Sequence, residues 1–596
     1  MKSKISFFSP TIYRKNMSRF WPIWGITVFF SAMIPLGKLV SIINYKQTLD
    51  EDLNFLSIRD LFLSSTDYVS GILMFMYALI VSMAVWSYMY SAKSISLMHS
   101  IPVTRTALYI TNVLSGLTML IAPVLVYGIL YELIGIYFGN GDVCAMLTFM
   151  SVTIGLSIIM FSIGTLSAHI TGNILALPFL YVGINTLAAG VEYLIEVFAS
   201  GYIYGYSGNY AGVAEFLSPF IKISNTLLYV SSTTKTSNLL GAGCVYIYTL
   251  VSIALLVVCY FIYTKRKSES AGDTISVSWL KPVFTSIVSG IVAIPLAELL
   301  YFLLGFSSIY YNKLVMSVLV VISGIVGYYA SIMLLNKTFA VFKKKLLPGL
   351  IATSSALIII CFIASFDVFN AEEFVPDIDE ITAVTVSYDN TMITLDTPDT
   401  FELATNLHKY FIEDKEASLN TYKVATNSHY ICGIKYYLKD GRMINRSYPC
   451  MLGVPDFKAD FPSSDALKDF MSNQYLMLKE AKNITKNGEI TYISTWGNIV
   501  RGYGLDATLE LQEVYEAFIK DLEEGNYRYD LTSFDDAIFI EFETTDASAS
   551  YFPSYSYHKF ILSDTMVNTL EVFKRYGWDP SDEENLTEPY EYVYSE

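Results

Sequence analysis

Long apolar runs separated by short polar stretches fill the chain as far as Phe366. Nine are long enough to cross a bilayer, which takes about 18–20 apolar residues in helical form. They fall near Phe20–Ile43, Tyr68–Tyr90, Ala107–Phe138, Val143–His169, Asn173–Ala199, Leu239–Tyr263, Pro282–Phe306, Leu314–Leu335 and Leu347–Phe366. The third exceeds the length of a simple span, and Pro123 and Gly128 predict a tilt or bend there. The fifth contains Pro178, Gly183 and Gly190 and is expected to be broken. Before the first run, residues 1–19 mix Ile5, Phe7, Ile12 and Tyr13 with basic residues, the pattern of a helix lying on a membrane surface. Between the fifth and sixth runs, the apolar stretch from Phe216 to Val230 predicts a short external or re-entrant helix.

From about Asp367 the pattern becomes that of a water-soluble region. ITAVTVSYDNTMITLDT reads as two strands about Asp389-Asn390, followed by a capped helix in DTFELATNLHKYF. ICGIKYYLKDGRMINRSYPC repeats the scheme with a hairpin turn at Asp440-Gly441, before a helix in SSDALKDFMSN. AIFIEFET, SYHKFILS and DTMVNTLEVFKRYG give a third strand–strand–helix unit, and a further helix is expected over Ala507–Glu523. The prediction is an α+β domain with internal repeats.

Charge separates the two regions. The chain has 596 residues, 53% of them hydrophobic, and a net charge of −16. About 42 of its 55 acidic residues follow Phe366, against about 18 of its 39 basic ones. With the N-terminus inside, the short cytoplasmic loops hold about fifteen Lys and Arg and the external ones about five. Nine spans then place the acidic region outside. The acidic balance also argues against a nucleic-acid partner.

Candidate chemistry is sparse. No GxxxxGK[ST] loop occurs, so nothing here is recognisable as a nucleotide-phosphate cradle. There is no HExxH, no CxxC and no nucleophile–base pattern, so an enzyme is disfavoured and no metal site is expected. Glu132 and Glu298 lie within spans, where ionisable groups are costly; each either lines a translocation pathway or pairs across helices. Cys432 and Cys450 flank the second hairpin, where an external location would permit a disulfide, although a two-residue turn would set Cys432 opposite residue 449 instead.

One stretch between the second and third runs, Ser91–Tyr109, reads SAKSISLMHSIPVTRTALY and is neither a span nor an ordinary loop. His99-Ser100-Ile101-Pro102-Val103-Thr104-Arg105 resembles the pattern at the corresponding turn of permease subunits of type-2 ABC transporters, especially of Gram-positive bacteria. In that family the segment is a coupling helix that docks into a separate ATPase. The resemblance covers roughly residues 1–265. The basic N-terminal segment looks like the family's connecting helix, and LSPF at Leu217–Phe220 like its external re-entry.

Together the apolar runs and the resemblance predict a polytopic α-helical membrane protein with an α+β extracellular domain, the last three spans and that domain departing from the family's six-span pattern. Its parts are a connecting segment (1–19), a six-span permease core (20–264), a cytoplasmic loop (265–281), three additional spans (282–366) and the external domain (367–596). The resemblance further implies an exporter of an amphiphilic substrate such as a peptide antibiotic, drug or lipid, in a bacterial cell membrane. A separate ATPase would hold ATP and Mg and contact Ile95, Met98, His99, Ser100, Pro102 and Arg105, and a second permease, identical or related, would complete the pore. The alternative is a membrane sensor or binding protein whose external domain recognises a ligand.

Overall fold

The computed structural model describes residues 7–48, 58–65, 68–137, 141–208, 212–230, 238–266, 272–277, 279–306, 310–388, 391–416, 431–450, 462–487, 489–496, 503–505, 508–529, 538–546 and 554–581. His429, the Asp389-Asn390 turn and the acidic tail lie outside these residues. Among them, nine helices are long and apolar enough to cross a membrane, as expected of a polytopic helical protein. The residues divide into two compact units: Met1–Leu194, Gly212–Tyr301 and Val318–Ile358 form one; Ile195–Ala211, Phe302–Ser317 and Ile359–Glu596 form the other.

The first unit opens with α1 (Pro10–Arg19), whose Pro10 starts the helix, where no N–H partner is needed. The helices that follow are α2 (Trp21–Thr48), α3 (Ile58–Ser64), α4 (Tyr68–Trp86), α5 (Ala92–Ser100), α6 (Arg105–Tyr137) and α7 (Val143–Ile170). They continue with α8 (Ala176–Tyr202), α9 (Pro219–Thr226), α10 (Ala242–Lys265), α11 (Leu280–Leu303), α12 (Lys313–Asn336) and α13 (Leu347–Ser365), of which the ends of α8, α11 and α13 and the start of α12 belong to the second unit. Close packing uses small residues. A Cβ on Gly116 of α6 would come within 2.3 Å of Phe161 on α7, and one on Gly155 within 2.8 Å of Thr249 on α10. The Ser323-x-x-x-Gly327 spacing works likewise, since a Cβ on Gly327 would press on Ser289 and Val292 of α11 at about 3 Å.

α6 is one continuous helix through Pro123 and Gly128. One expectation about span shape is corrected. α8 is continuous because it begins at Ala176, so Pro178 sits in the first turn, where backbone N–H groups have no helical acceptor anyway. The expected external helix is only the eight-residue α9, followed by β1 (Leu228–Val230) paired antiparallel with β2 (Asn238–Leu240).

The second unit contains two four-stranded antiparallel sheets. The first is built from β3 (Ile381–Tyr388), β4 (Thr391–Leu395), β5 (Ile431–Leu438) and β6 (Met443–Pro449), in the order β4-β3-β5-β6. Its helices are α14 (Pro398–Glu413), α15 (Pro462–Met471) and α16 (Gln474–Asn487). The second contains β7 (Glu489–Trp496), β8 (Tyr503–Leu505), β9 (Phe539–Asp546) and β10 (Ser554–Ile561), in the order β10-β9-β7-β8, with α17 (Thr508–Glu524) and α18 (Val567–Arg575).

Both sheets have one topology, two hairpins joined through their first strands. Both also place a bulge at the same point, with Thr382 the extra residue on β3 and Thr491 on β7. Four strand–strand–helix units are therefore present where three were expected, grouped as two tandem repeats. The missed strands, β7 and β8, precede the helix expected at Ala507–Glu523. The turn of the second hairpin is also longer than expected. Leu438 pairs with Arg442, and Gly441 adopts φ +85°, so the loop holds three residues and Cys432 faces Tyr448.

Candidate functional site

Ile101, Pro102, Thr104 and Arg105 of the HSIPVTR stretch each have a local physical task. Helix α5 places Ile95 in the core of the first unit and rests Met98 against it, while Lys93, Ser96, Leu97 and Ser100 face outward. Leu97 is 66% exposed, a large apolar side chain on an otherwise polar face. The helix ends at Ile101 in extended backbone, φ −71° and ψ 138°, because Pro102 crowds the helical conformation of the residue before it. Thr104 then caps α6, its hydroxyl accepting from the Ala107 N–H at 3.1 Å.

Arg105 reaches across to the end of α10 and donates to the carbonyls of Thr264 at 3.0 Å and Arg266 at 3.4 Å. A cation on the last carbonyls of a helix satisfies orphan acceptors and opposes the negative end of the helix dipole. Arg266 in turn donates to the Ala168 carbonyl on α7 at 3.0 Å. The two arginines thus stitch α6, α10 and α7 together behind α5.

A buried polar chain lies beneath this stitch. Asn16 on α1 donates to Asn112 on α6 at 2.8 Å and to Ser115 at 3.2 Å. Asn112 donates to the Tyr88 hydroxyl at 3.4 Å, and Tyr88 shares a hydrogen bond with Tyr263 on α10 at 3.0 Å. Trp86, Tyr109 and Tyr263 surround the His169 ring, with centroids 4.5, 5.8 and 5.4 Å away. Buried polar groups are costly unless paired, so this chain holds the elements in one arrangement. α5 packs on the Ser87–Tyr90 turn, which this chain ties to α1, α6 and α10.

The other expected site residues are placed as follows. Ser100 and Pro102 are exposed, and the His99 side chain lies outside the described residues. Glu132 is buried near the end of α6, where its Oε2 accepts from the Asp142 N–H at 3.2 Å. Asp142 caps α7 through Ala145 and pairs with Arg59 at 3.2 Å, so Glu132 helps to close the α6–α7 turn. Glu298 is half-buried on α11. Glu192, on α8, accepts from the N–H groups of Val213 and Ala214, each at 2.8 Å. Cys432 and Cys450 are buried thiols not joined in a disulfide, and burial pushes the Cys432 thiol well above its usual range.

Asn16, Asn112, Tyr88 and Tyr263 were not singled out from the sequence, and Leu97, expected with Ile95, Met98 and Ile101 on the buried apolar face of α5, is exposed instead. Asn112 and Ser115 were legible in principle: two polar residues three apart in an apolar span share one helix face. No protein-family model matches the chain, and neither a curated protein nor a solved structure matches it significantly.

Proposed function

We propose that this chain is the membrane-spanning permease subunit of an ABC transporter, driven by a separate ATPase that docks on α5. One observation carries the proposal: a short helix between two candidate spans is anchored inward by Ile95 and presents Leu97 with polar neighbours outward. Such a helix transmits force only if its base is stiff. The stitch through Arg105 and Arg266 and the Asn16–Asn112–Tyr88–Tyr263 chain supply that stiffness. The short-loop charge bias orients α5 toward the cytoplasm and the second unit's sheets outside the cell. Export of an amphiphilic substrate through a pore completed by a second permease is part of the proposal.

The test is co-purification of an ATP-hydrolysing partner with the full chain. Burying a leucine is worth about 1.5–3 kcal/mol, so Leu97→Asp is expected to weaken the association by tenfold or more. Arg105→Glu should weaken it by loosening the base. Unchanged association in both variants sinks the α5 assignment. The sensor alternative draws on the docking of residues 204–206 against β6, which would let an external ligand act on α8; under it no ATPase co-purifies.

A further inference from the structure

The two tandem repeats can be superposed residue by residue through their ladders. The bulged residues Thr382 and Thr491 align Val384 with Ile493. Val384 faces Tyr436, which faces Ile444; Ile493 faces Phe542, which faces His558. Tyr436 therefore corresponds to Phe542, and Arg446, two residues beyond Ile444, to Phe560. On the packing helices, Phe518 of α17 lies 5.1 Å from both Phe542 and Phe560, centroid to centroid. His408 of α14 takes its place, 5.7 Å from Tyr436.

So one repeat fills this position with three phenylalanines, and the other with His408, Tyr436 and Arg446. The fold does not require polar groups there, because its own duplicate manages without them. They also carry a cost. Arg446 is 4% exposed; its Nη2 donates to the Phe374 carbonyl at 2.9 Å, while Nε and Nη1 meet no acceptor among the described residues. A buried cation without compensation is penalised by several kcal/mol.

The donor count points the same way. His408 sits between the hydroxyls of Tyr436, 3.0 Å from Nδ1, and Tyr448, 2.7 Å from Nε2. A neutral imidazole has one N–H and one lone pair, so one tyrosine gives it a proton and the other receives one. The receiving tyrosine keeps its own O–H to donate. One tyrosine O–H and two guanidinium nitrogens of Arg446 are thus left as donors without an acceptor among the described residues, beside a buried positive charge.

The geometry points to a binding site for a small oxyanion, a carboxylate or phosphate group, held by Arg446 together with the tyrosine hydroxyl that His408 leaves free to donate. Entry is controlled from one side. β6 is the edge strand, and its outer edge is covered by a strap at the end of α8: Ser447 N–H donates to the Gly205 carbonyl at 3.0 Å, and Tyr206 bridges to Arg446. Gly205, at φ +70°, is in turn held by its N–H on the Tyr310 hydroxyl at 3.2 Å. Lifting the strap opens the guanidinium to solvent, so occupancy would be felt at the end of α8. The site does not depend on the permease proposal.

The full chain in detergent micelles is titrated calorimetrically with sodium acetate and, separately, with sodium phosphate, against sodium chloride at matched ionic strength. Saturable binding of at least one oxyanion is expected, weakened tenfold or more by Arg446→Met and several-fold by one of Tyr436→Phe and Tyr448→Phe. Acetate alone binding identifies a carboxylate site, and phosphate alone a phosphate site. Without added oxyanion, Arg446→Phe, which installs the residue used by the duplicate, should melt above the wild type. Wild type binding neither anion, or Arg446→Met binding as tightly as wild type, overturns the proposal. A lower melting temperature for Arg446→Phe would show that the cation is already compensated and overturns it too. Should Arg446→Met fail to fold, the Tyr436→Phe and Tyr448→Phe titrations decide, with unchanged affinity in both as the refuting result.

Discussion

His408 should make the second unit sensitive to acid in a way its duplicate position is not. The ring is fully buried. Burial, and next the Arg446 charge beside it, lower its pKa from 6.5 to about 3. The unfolded chain takes up a proton as pH falls through 6.5, whereas the folded protein refuses it until about pH 3. Stability is therefore complete near neutrality and falls with pH across that window, by about 1.4 kcal/mol per unit. Between pH 7 and 5 the loss from this group is about 2 kcal/mol. His408→Phe puts the phenylalanine of the second repeat in its place and removes the titrating group. The variant carries a fixed offset from the unpaired tyrosine hydroxyls, so the slopes are what must be compared. Urea unfolding of the full chain in micelles, followed by pulse proteolysis at pH 7, 6, 5 and 4, reads them. Other groups that titrate here, such as Glu480 and His558, are common to both proteins and cancel. Parallel slopes would refute the burial of a neutral His408.

Gly205→Ala should detach the strap from β6. The position has φ +70°, and an added Cβ would stand 2.1 Å from the Tyr448 ring, so faster hydrogen exchange at Ser447 is expected and unchanged exchange would count against the strap. Asp521 on α17 is fully buried and accepts from Asn526, from the backbone N–H groups of Asn568 and Thr569, and from the Asn568 amide and Thr569 hydroxyl. It caps α18 from a neighbouring helix, so Asp521→Ala should cost about 3–5 kcal/mol, read by urea unfolding, whereas an exposed residue such as Asp440 should cost well under 1 kcal/mol.

The membrane half was largely legible because its signal is length and apolarity. Each predicted run has its helix, with ends moved by a few residues where capping decides, as at Thr104 and Asp142. Pro178 misled because a proline within an apolar run says nothing of where the helix starts; the start at Ala176 makes it harmless. The C-terminal region was harder. β7 and β8 escaped notice because EITYISTW is half polar and YGL is only three residues long, and only their pairing with β9 and with each other makes them strands.

The turn motif was found by pattern, yet its chemistry was divided differently from expectation. Ile95 and Arg105 face into the protein's own structure and Leu97 faces out, a split that depends on which side of α5 the bundle occupies. Arg446 and His408 could not be distinguished from surface residues in sequence, since alternation along a strand shows which residues share a face but not which face is buried.

The permease assignment is tested most directly by a photo-crosslinking amino acid at position 97 in the full chain, expressed in cells with its native partners. An ATP-hydrolysing polypeptide cross-linked at this position, and not from the inward-facing position 95, is the predicted result. A partner ATPase that co-purifies but cross-links equally from both positions, or no ATPase adduct from position 97, would contradict it.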